Sequence, residues 1–303
     1  MTLLPKGLAL RKEFIDTIPM DQPRFSPPCL LFDNGSLRPE STLNLRAIAR
    51  RLQATIGVEV QAVSLLHSNA VSPHDLGGVP AQLLEPTLAG WLAAGRGEIV
   101  LLPLFFGPSA ALVDYLPRRL ESLRQAHPGM QVRLGRWLVD SSAGDDFRIV
   151  SILADNVRRV IAVHGLKSPD VVLVDHGSPQ RAVVAVRDFL AGQLVSQLTG
   201  AIGRLAAASM ERRPGPEYDF CDPLLSALLR RPEFCDRRVV VAQQFFSPGR
   251  HAGPGGDVAG ICAAAEQVRP RLKTYRTELI GADPRRIQVL GDRYREACGR
   301  APF

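Results

Sequence analysis

Short, nearly continuous apolar runs alternate along this 303-residue chain with longer stretches whose hydrophobic positions recur every three or four residues. The run from Glu98 to Phe106, EIVLLPLFF, has no polar face, which suits a strand of a parallel sheet covered on both sides. The pattern predicts strands over Pro27 to Asp33, Val58 to Leu66, Glu98 to Phe106 and Gln131 to Leu138. Helices are predicted over Pro39 to Thr55, Pro80 to Ala94, Leu112 to Ala126 and Gly144 to Val163. The second half repeats the alternation. Its strands are Val171 to Val174, Arg204 to Met210, Arg238 to Phe246 and Leu272 to Thr277, and its helices are Val183 to Leu198, Cys221 to Arg230, Val258 to Arg271 and Asp283 to Ala297. Such alternation implies an α/β fold of parallel sheets with right-handed crossovers and helices on their faces. The length suits two domains of about 150 residues. His164 and Gly165 look like a helix C-terminus, where a cation and a glycine are both at home, so the boundary falls there. The expected organisation is a polar, Pro-containing arm over 1–27 and two similar tandem lobes over 28–165 and 166–303.

The halves match in detail as well as in rhythm. Val171 to Arg181, VVLVDHGSPQR, is a buried strand that runs into Asp, His, Gly and Ser at the start of a helix. In an open parallel sheet, ligands bind beyond such carboxyl ends, so His176 stands where a ligand would react, although it could also serve only to hydrogen-bond its own loop. Leu30 to Arg38, LLFDNGSLR, is the earlier copy, with Asn34 in place of His176. Ile99 to Leu116 parallels Val239 to Val258 through a shared Phe-Phe and Pro, which sets Ala111 opposite His251. A weaker match of Val63 to His67 with Ala207 to Glu211 sets His67 opposite Glu211. In the two clearer matches the second half keeps a histidine that the first half lacks.

Composition narrows the class. With 46% hydrophobic and 22% charged residues the chain reads as an ordinary globular protein, and no apolar run reaches membrane-spanning length or the pattern of a secretory signal. A cytoplasmic protein without a membrane partner is expected. Its five cysteines are odd in number and form no CxxC pair, which argues against a disulfide framework or a cysteine zinc site. The net charge of +7 points to an anionic partner. With no helix-turn-helix signature and no basic strand interleaved with aromatics, that partner is a small polyanion rather than nucleic acid. The run Gly253 to Asp257, GPGGD, lacks the Gly-Lys-Ser/Thr of a phosphate loop and is not GxGxxG, so ATP is not implied. It is expected to give the loop after His251 freedom to close over a large flat ligand.

Taken together, DHGS, SME and FFSPGRH, each after a strand, resemble the motifs of the class II chelatases, the sirohydrochlorin cobaltochelatase and ferrochelatase family. The likeness runs over about residues 28 to 300. It implies a two-lobed chelatase-like fold and insertion of Co²⁺ or Fe²⁺, or Ni²⁺, into an anionic tetrapyrrole in the cobalamin or siroheme pathway. It also implies that His176, His251 and Glu211 form the catalytic and metal-binding centre, and that no cofactor is needed beyond the metal being inserted. Asn34 and Ala111 depart from the family pattern, so a single site in the second lobe is implied.

The chemistry of these residue types agrees with that assignment. Neutral imidazole suits borderline divalent ions, and with an ordinary pKa of about 6.5 it can accept a pyrrole proton near neutrality. Glu211 could be a third ligand or the proton acceptor. Sirohydrochlorin carries many carboxylates, and Arg250, Arg212, Arg213 and Arg181 lie next to the motif residues, where guanidinium groups could bind them bidentately or simply be solvated. Ser178 could bind a carboxylate at the helix N-terminus or cap that helix. A non-catalytic tetrapyrrole or metal carrier is the alternative function. His67 is either a further metal ligand or a loop residue. A fused two-lobed chain can build its cleft as a monomer, and a homodimer is equally open.

Overall fold

The computed structural model describes residues 26–142 and 144–303, so the expected arm lies outside the described residues as far as residue 25. Strands β1 (Cys29–Asp33), β2 (Val60–Ser64), β3 (Glu98–Pro103) and β4 (Gln131–Leu134) form one sheet in the order β2-β1-β3-β4. Strands β5 (Asp170–Asp175), β6 (Leu205–Ser209), β7 (Arg238–Gln243) and β8 (Lys273–Arg276) form the second in the order β6-β5-β7-β8. Every pairing is parallel, and corresponding strands hold corresponding places. The expected pair of tandem α/β lobes is therefore present.

The helices are α1 (Pro39–Ile56), α2 (Leu84–Ala93), α3 (Leu116–Ala126), α4 (Arg148–His164), α5 (Arg181–Leu198), the single turn α6 (Leu225–Leu228), α7 (Asp257–Val268) and α8 (Arg285–Cys298). In α1 the buried Leu45, Ile48, Ala49 and Leu52 recur at helical spacing and form one face. Gly57 and Gly165 end α1 and α4 in the left-handed conformation, the usual role of a C′ glycine.

Several element ends differ from expectation, among them the helix expected from Pro80, which begins at Leu84, and the strands expected to reach Phe106 and Phe246, which stop at Pro103 and Gln243. Three further differences have a visible cause. The strand expected to reach Leu138 stops at Leu134, because Gly135 tucks beneath Leu102, where a Cβ would come within 2.9 Å of that side chain. The helix expected over Cys221 to Arg230 is a 3₁₀ turn, Pro216–Cys221, followed by α6, with Pro223 between them lacking the amide hydrogen a continuous helix needs. The helix expected from Gly144 begins at Arg148, because Asp146 turns its carboxylate onto the Arg148 guanidinium in the loop before it.

The helix that closes each half in sequence packs on the sheet of the other half. α4 follows β4 but lies against β7 and α5, whereas α8 follows β8 but lies against β3, β4 and α1. One apolar core therefore runs between the sheets and joins Leu31 and Leu102 to Leu173 and Ala242 through Leu153, Val157, Leu290 and Tyr294. The outer face of each sheet has its own core, built around Phe32 and Leu88 in the first lobe and around Val174 and Phe234 in the second. This leaves the carboxyl ends of both sets of strands free to face a common cleft.

Candidate metal centre and cleft

The β5 turn is set by one close backbone approach. Gly177 has φ +90°, and a Cβ there would lie 1.9 Å from the Glu211 carbonyl oxygen, so the turn lies directly on the chain leaving β6. Met210 N donates to Asp175 O at 2.8 Å and Glu211 N to His176 O at 3.2 Å, which extends the β5–β6 ladder to His176 and Glu211. His176 Nε2 then stands 3.2 Å from Glu211 Oε1. The His251 ring lies edge-on to that of His176 with centroids 4.5 Å apart. Among the described residues no three His, Cys, Asp or Glu side chains form a closed coordination group. The arrangement is an imidazole–carboxylate pair with a second imidazole beside it.

Each imidazole is fixed through Nδ1. His176 Nδ1 is 3.0 Å from the Gly177 carbonyl and His251 Nδ1 is 2.7 Å from Asp257 Oδ2. A carbonyl and a carboxylate can only accept, so the Asp257 carboxylate places the neutral His251 proton on Nδ1, whereas His176 has an acceptor at each nitrogen, the Gly177 carbonyl at Nδ1 and the Glu211 carboxylate at Nε2. A neutral His176 ring, with one N–H, can satisfy only one of these two acceptors. A cation shared by Nε2 and the Glu211 carboxylate, with the ring proton on Nδ1, would satisfy both.

Asp257 escaped the reading of the sequence because it lies beyond a Gly-rich run at the first residue of α7. The spacing His-x₅-Asp at a helix start was the signal available. The Gly-rich run, expected to free the loop after His251, makes close contacts with it at Gly256. A Cβ at Gly256 would meet the His251 carbonyl carbon at 2.9 Å, and the amides of Asp257 and Val258 donate to Arg250 O and His251 O at 3.0 and 3.1 Å. The glycine lets the loop fold back onto the histidine.

The cleft, about 650 Å³, is lined on the second-lobe side by His176, Phe245, Pro248, Arg250 and His251, and on the first-lobe side by Asn34, Leu37, Arg38, Ser41 and His67. Asn44 of α1 bridges to Ser247 at 2.5 Å beside it. Of the arginines singled out in the sequence, Arg250 lines the cleft with a side chain 74% exposed, 3.9 Å from Asp257. Arg213 is exposed. Arg212 is not free to bind a ligand as expected, because it bonds Asp219 and Asp222 at 3.0 and 3.2 Å and the Gly215 carbonyl at 2.9 Å, tying its loop together. Arg181 lies over the Phe220 ring at 4.5 Å, a cation–π contact. Ser178 does not cap α5. Gln180 holds that position, and Ser178 Oγ accepts its N–H at 3.1 Å and shapes the turn. Arg38, at the start of α1, and the exposed Leu37 join the cleft lining from the first lobe.

The pairing of His67 with Glu211 is overturned. Strand register sets Asp33 beside Ser64 and Asp175 beside Ser209, so Leu66, not His67, is the counterpart of Glu211. Gly35, at φ +91°, confirms the shift, since its Cβ would meet the Leu66 carbonyl at 1.7 Å as that of Gly177 meets Glu211. His67 still faces the cleft and adopts φ 66°, a conformation uncommon outside glycine. The Phe-Phe alignment survives. Leu104 N and Gln244 N donate to equivalent carbonyls of β1 and β5, which leaves Ala111 opposite His251. Ala111 opens a helical turn packed into the outer core, whereas His251 rides on the longer loop.

No family model matches the chain, and no curated protein does. Solved structures do. SirB from Bacillus subtilis with Fe³⁺ superposes with a TM-score of 0.68 at 15% identity, covering 91% of this chain and 96% of that one. The sirohydrochlorin chelatase SirB from Bacillus subtilis subspecies spizizenii in complex with cobalt gives 0.67 at 14% identity, over 92% and 100% of the two chains. CbiX, described as the terminal enzyme for siroheme biosynthesis in denitrifying bacteria, gives 0.58 at 15% identity, over 89% and 99%. This chain thus has the two-lobed α/β fold of the SirB and CbiX chelatases along almost its whole length.

Proposed function

We propose that the protein inserts a divalent metal into a sirohydrochlorin-like tetrapyrrole in the cleft between its lobes. The observation that carries this reading is the imidazole–carboxylate pair, His176 Nε2 and Glu211 Oε1 at 3.2 Å, with a second imidazole beside it. Two Nε2 donors and one carboxylate oxygen suit borderline ions such as Co²⁺ and Fe²⁺ and leave coordination positions for water and then pyrrole nitrogens. With the ring proton on Nδ1, each Nε2 can take either the metal or a departing pyrrole proton. Leu37, Phe245 and Pro248 offer apolar surface to the macrocycle face, and Arg250, Arg213 and Arg38 offer charge to its carboxylates. The neighbours of this fold, described as sirohydrochlorin chelatase and as enzyme of siroheme biosynthesis, support the choice of substrate. In this reading the metal is substrate and no ATP is consumed.

The test is the absorption spectrum of sirohydrochlorin mixed with Co²⁺ or Fe²⁺. An enzyme accelerates appearance of the metallated spectrum over many turnovers. A shift that stops at one equivalent of protein would make the chain a carrier instead, and no change over the uncatalysed rate would remove the chelatase reading.

A further inference from the structure

A buried guanidinium lies beneath the proposed centre. Arg187 of α5, with a side chain 3% exposed, forms an ion pair at 3.9 Å with Asp175 Oδ1, which accepts no hydrogen bond, and its Nη1 donates to Ser209 Oγ at 2.6 Å and to the Cys221 carbonyl at 2.9 Å. Its Nε donates to Asp188 at 2.9 Å. The first three partners sit on three separate segments. Asp175 precedes His176, Ser209 ends β6 two residues before Glu211, and Cys221 ends the turn that closes the loop after Glu211.

The first lobe supplies an internal comparison. Leu45 follows Asp33 by twelve residues, as Arg187 follows Asp175 by twelve, and α1 and α5 begin at matching points. Leu45 is also buried, and there Asp33 Oδ1 is satisfied by the Gly35 amide at 3.0 Å and the Ser64 hydroxyl at 2.7 Å, with Ser68 bonded to Ser64 behind it. The same strand–turn–helix unit therefore closes with a leucine and hydroxyls alone. A buried cation is expensive unless fully partnered, and an apolar residue of similar volume is often at least as stable. The charge appears in the lobe that has His176 and Glu211 and is missing from the lobe that has Asn34 and Leu66.

We propose that Arg187 is a positioning residue, a clamp that fixes the β5 turn against the end of β6 and the loop beyond so that His176 Nε2 and the Glu211 carboxylate face one another. The part of this that concerns metal rests on the proposed function. The positioning itself does not.

Arg187→Leu installs the residue the first lobe already uses, and Arg187→Lys keeps the charge without the fork. In the full chain without metal, amide hydrogen exchange in Arg187→Leu should quicken at residues 176–178 and 209–213 and stay unchanged at 33–36 and 64–68. With Co²⁺ alone, its Kd should weaken about tenfold or more, in the range seen when a partner that orients metal ligands is lost. In turnover, kcat should fall with KM for the tetrapyrrole unchanged, and Arg187→Lys should recover only part of each loss. Exchange, Co²⁺ binding and kcat all at wild-type values in folded Arg187→Leu would overturn the clamp, as would a uniform rise in exchange across both lobes. Should Arg187→Leu fail to fold, Ser209→Ala removes one arm of the clamp and should quicken exchange at 209–213, and no change there would overturn it equally. A wild-type protein that binds no Co²⁺ would overturn the proposed function while the exchange measurements still decide the clamp.

Discussion

His176 and His251 are held in different ways for the same end. His176 meets the carbonyl of its own turn through Nδ1 and Glu211 through Nε2, whereas His251 is held through Nδ1 by a carboxylate across its loop. His176→Ala and His251→Ala should each remove most metal-insertion activity without changing the melting temperature by more than about a degree, because both side chains sit on loops beyond strand ends. Asn34→Ala should leave the rate unaltered. A rate loss in Asn34→Ala as deep as in His176→Ala would move the reacting centre to the first lobe. Asp257→Asn can still accept through its amide oxygen but no longer sets a negative charge against His251 Nδ1. Metal affinity should drop about 10- to 100-fold, measured by Co²⁺ titration, with tetrapyrrole binding unaffected. Unchanged Co²⁺ affinity would reduce Asp257 to a loop contact. The two histidines and Glu211 were legible because each lies in a short local motif at a strand end. Asp257 and Arg187 were not, because their partners come from six and more than ten residues away and no local pattern marks such a contact. The one-residue slip at His67 arose because VSLLH and AASME share an apolar run that tolerates either alignment, and only the ladder decides between them.

At the scale of the element, the unit that recurs is strand, Asp, one variable residue, Gly-Ser, helix. Its glycine is fixed by geometry in both lobes, with φ near +90° and the next strand's exit lying where a Cβ would be. The left-handed conformation alone costs a non-glycine residue about 1–2 kcal/mol, and the clash adds to this. Gly35→Ala and Gly177→Ala should therefore both lower stability in urea unfolding by at least that much. They should differ in chemistry. Gly177→Ala pushes on the Glu211 backbone and should also cut turnover per folded molecule, whereas Gly35→Ala pushes on Leu66 and should not. Equal turnover in the two folded variants would separate Glu211 from the reaction. The pairing of strand and helix in each half was readable from periodicity because every central strand is buried on both faces. The ends were less readable, since Gly135 stops its strand by packing against another segment, Asp146 delays its helix through its bond to Arg148, and Pro223 divides a stretch whose apolar spacing runs through it.

At the scale of the molecule, the lobes are held together by the exchange of α4 and α8, and nothing in the periodicity of either helix says which sheet it will cover. Their crossing is fastened by charge. Asp146, before α4, bonds Arg148 and the buried Arg293 of α8, Arg293 also donates to the Leu138 carbonyl at 3.0 Å, and Glu296 bonds Arg293 at 2.7 Å and Arg148 at 3.1 Å. Burial alone would raise the Asp146 carboxyl, but the Arg148 and Arg293 guanidinium groups outweigh it and hold it below the usual carboxylate range, and the same balance holds Glu296 down. A carboxyl whose folded pKa is depressed contributes stability that is complete above its unfolded value, about 3.9 for Asp, and is lost as pH falls through the folded value. Asp33 and Asp175 act with the opposite sign, since burial raises both and favours their protonated forms in the folded state. The acid limb of the wild-type stability curve therefore sums opposing contributions, and a difference curve is needed to isolate the crossing. Asp146→Asn should destabilise the protein by about 3 kcal/mol at pH 7, the lower end for removing one partner of a buried pair. The gap between wild type and variant should narrow in thermal melts as pH falls below the unfolded value of about 3.9 and through the depressed folded one, as the wild-type carboxylate is itself protonated. A gap of constant size from pH 7 to pH 2 would mean that Asp146 works through hydrogen-bond shape alone, and that charge is not what fastens the two lobes at their crossing.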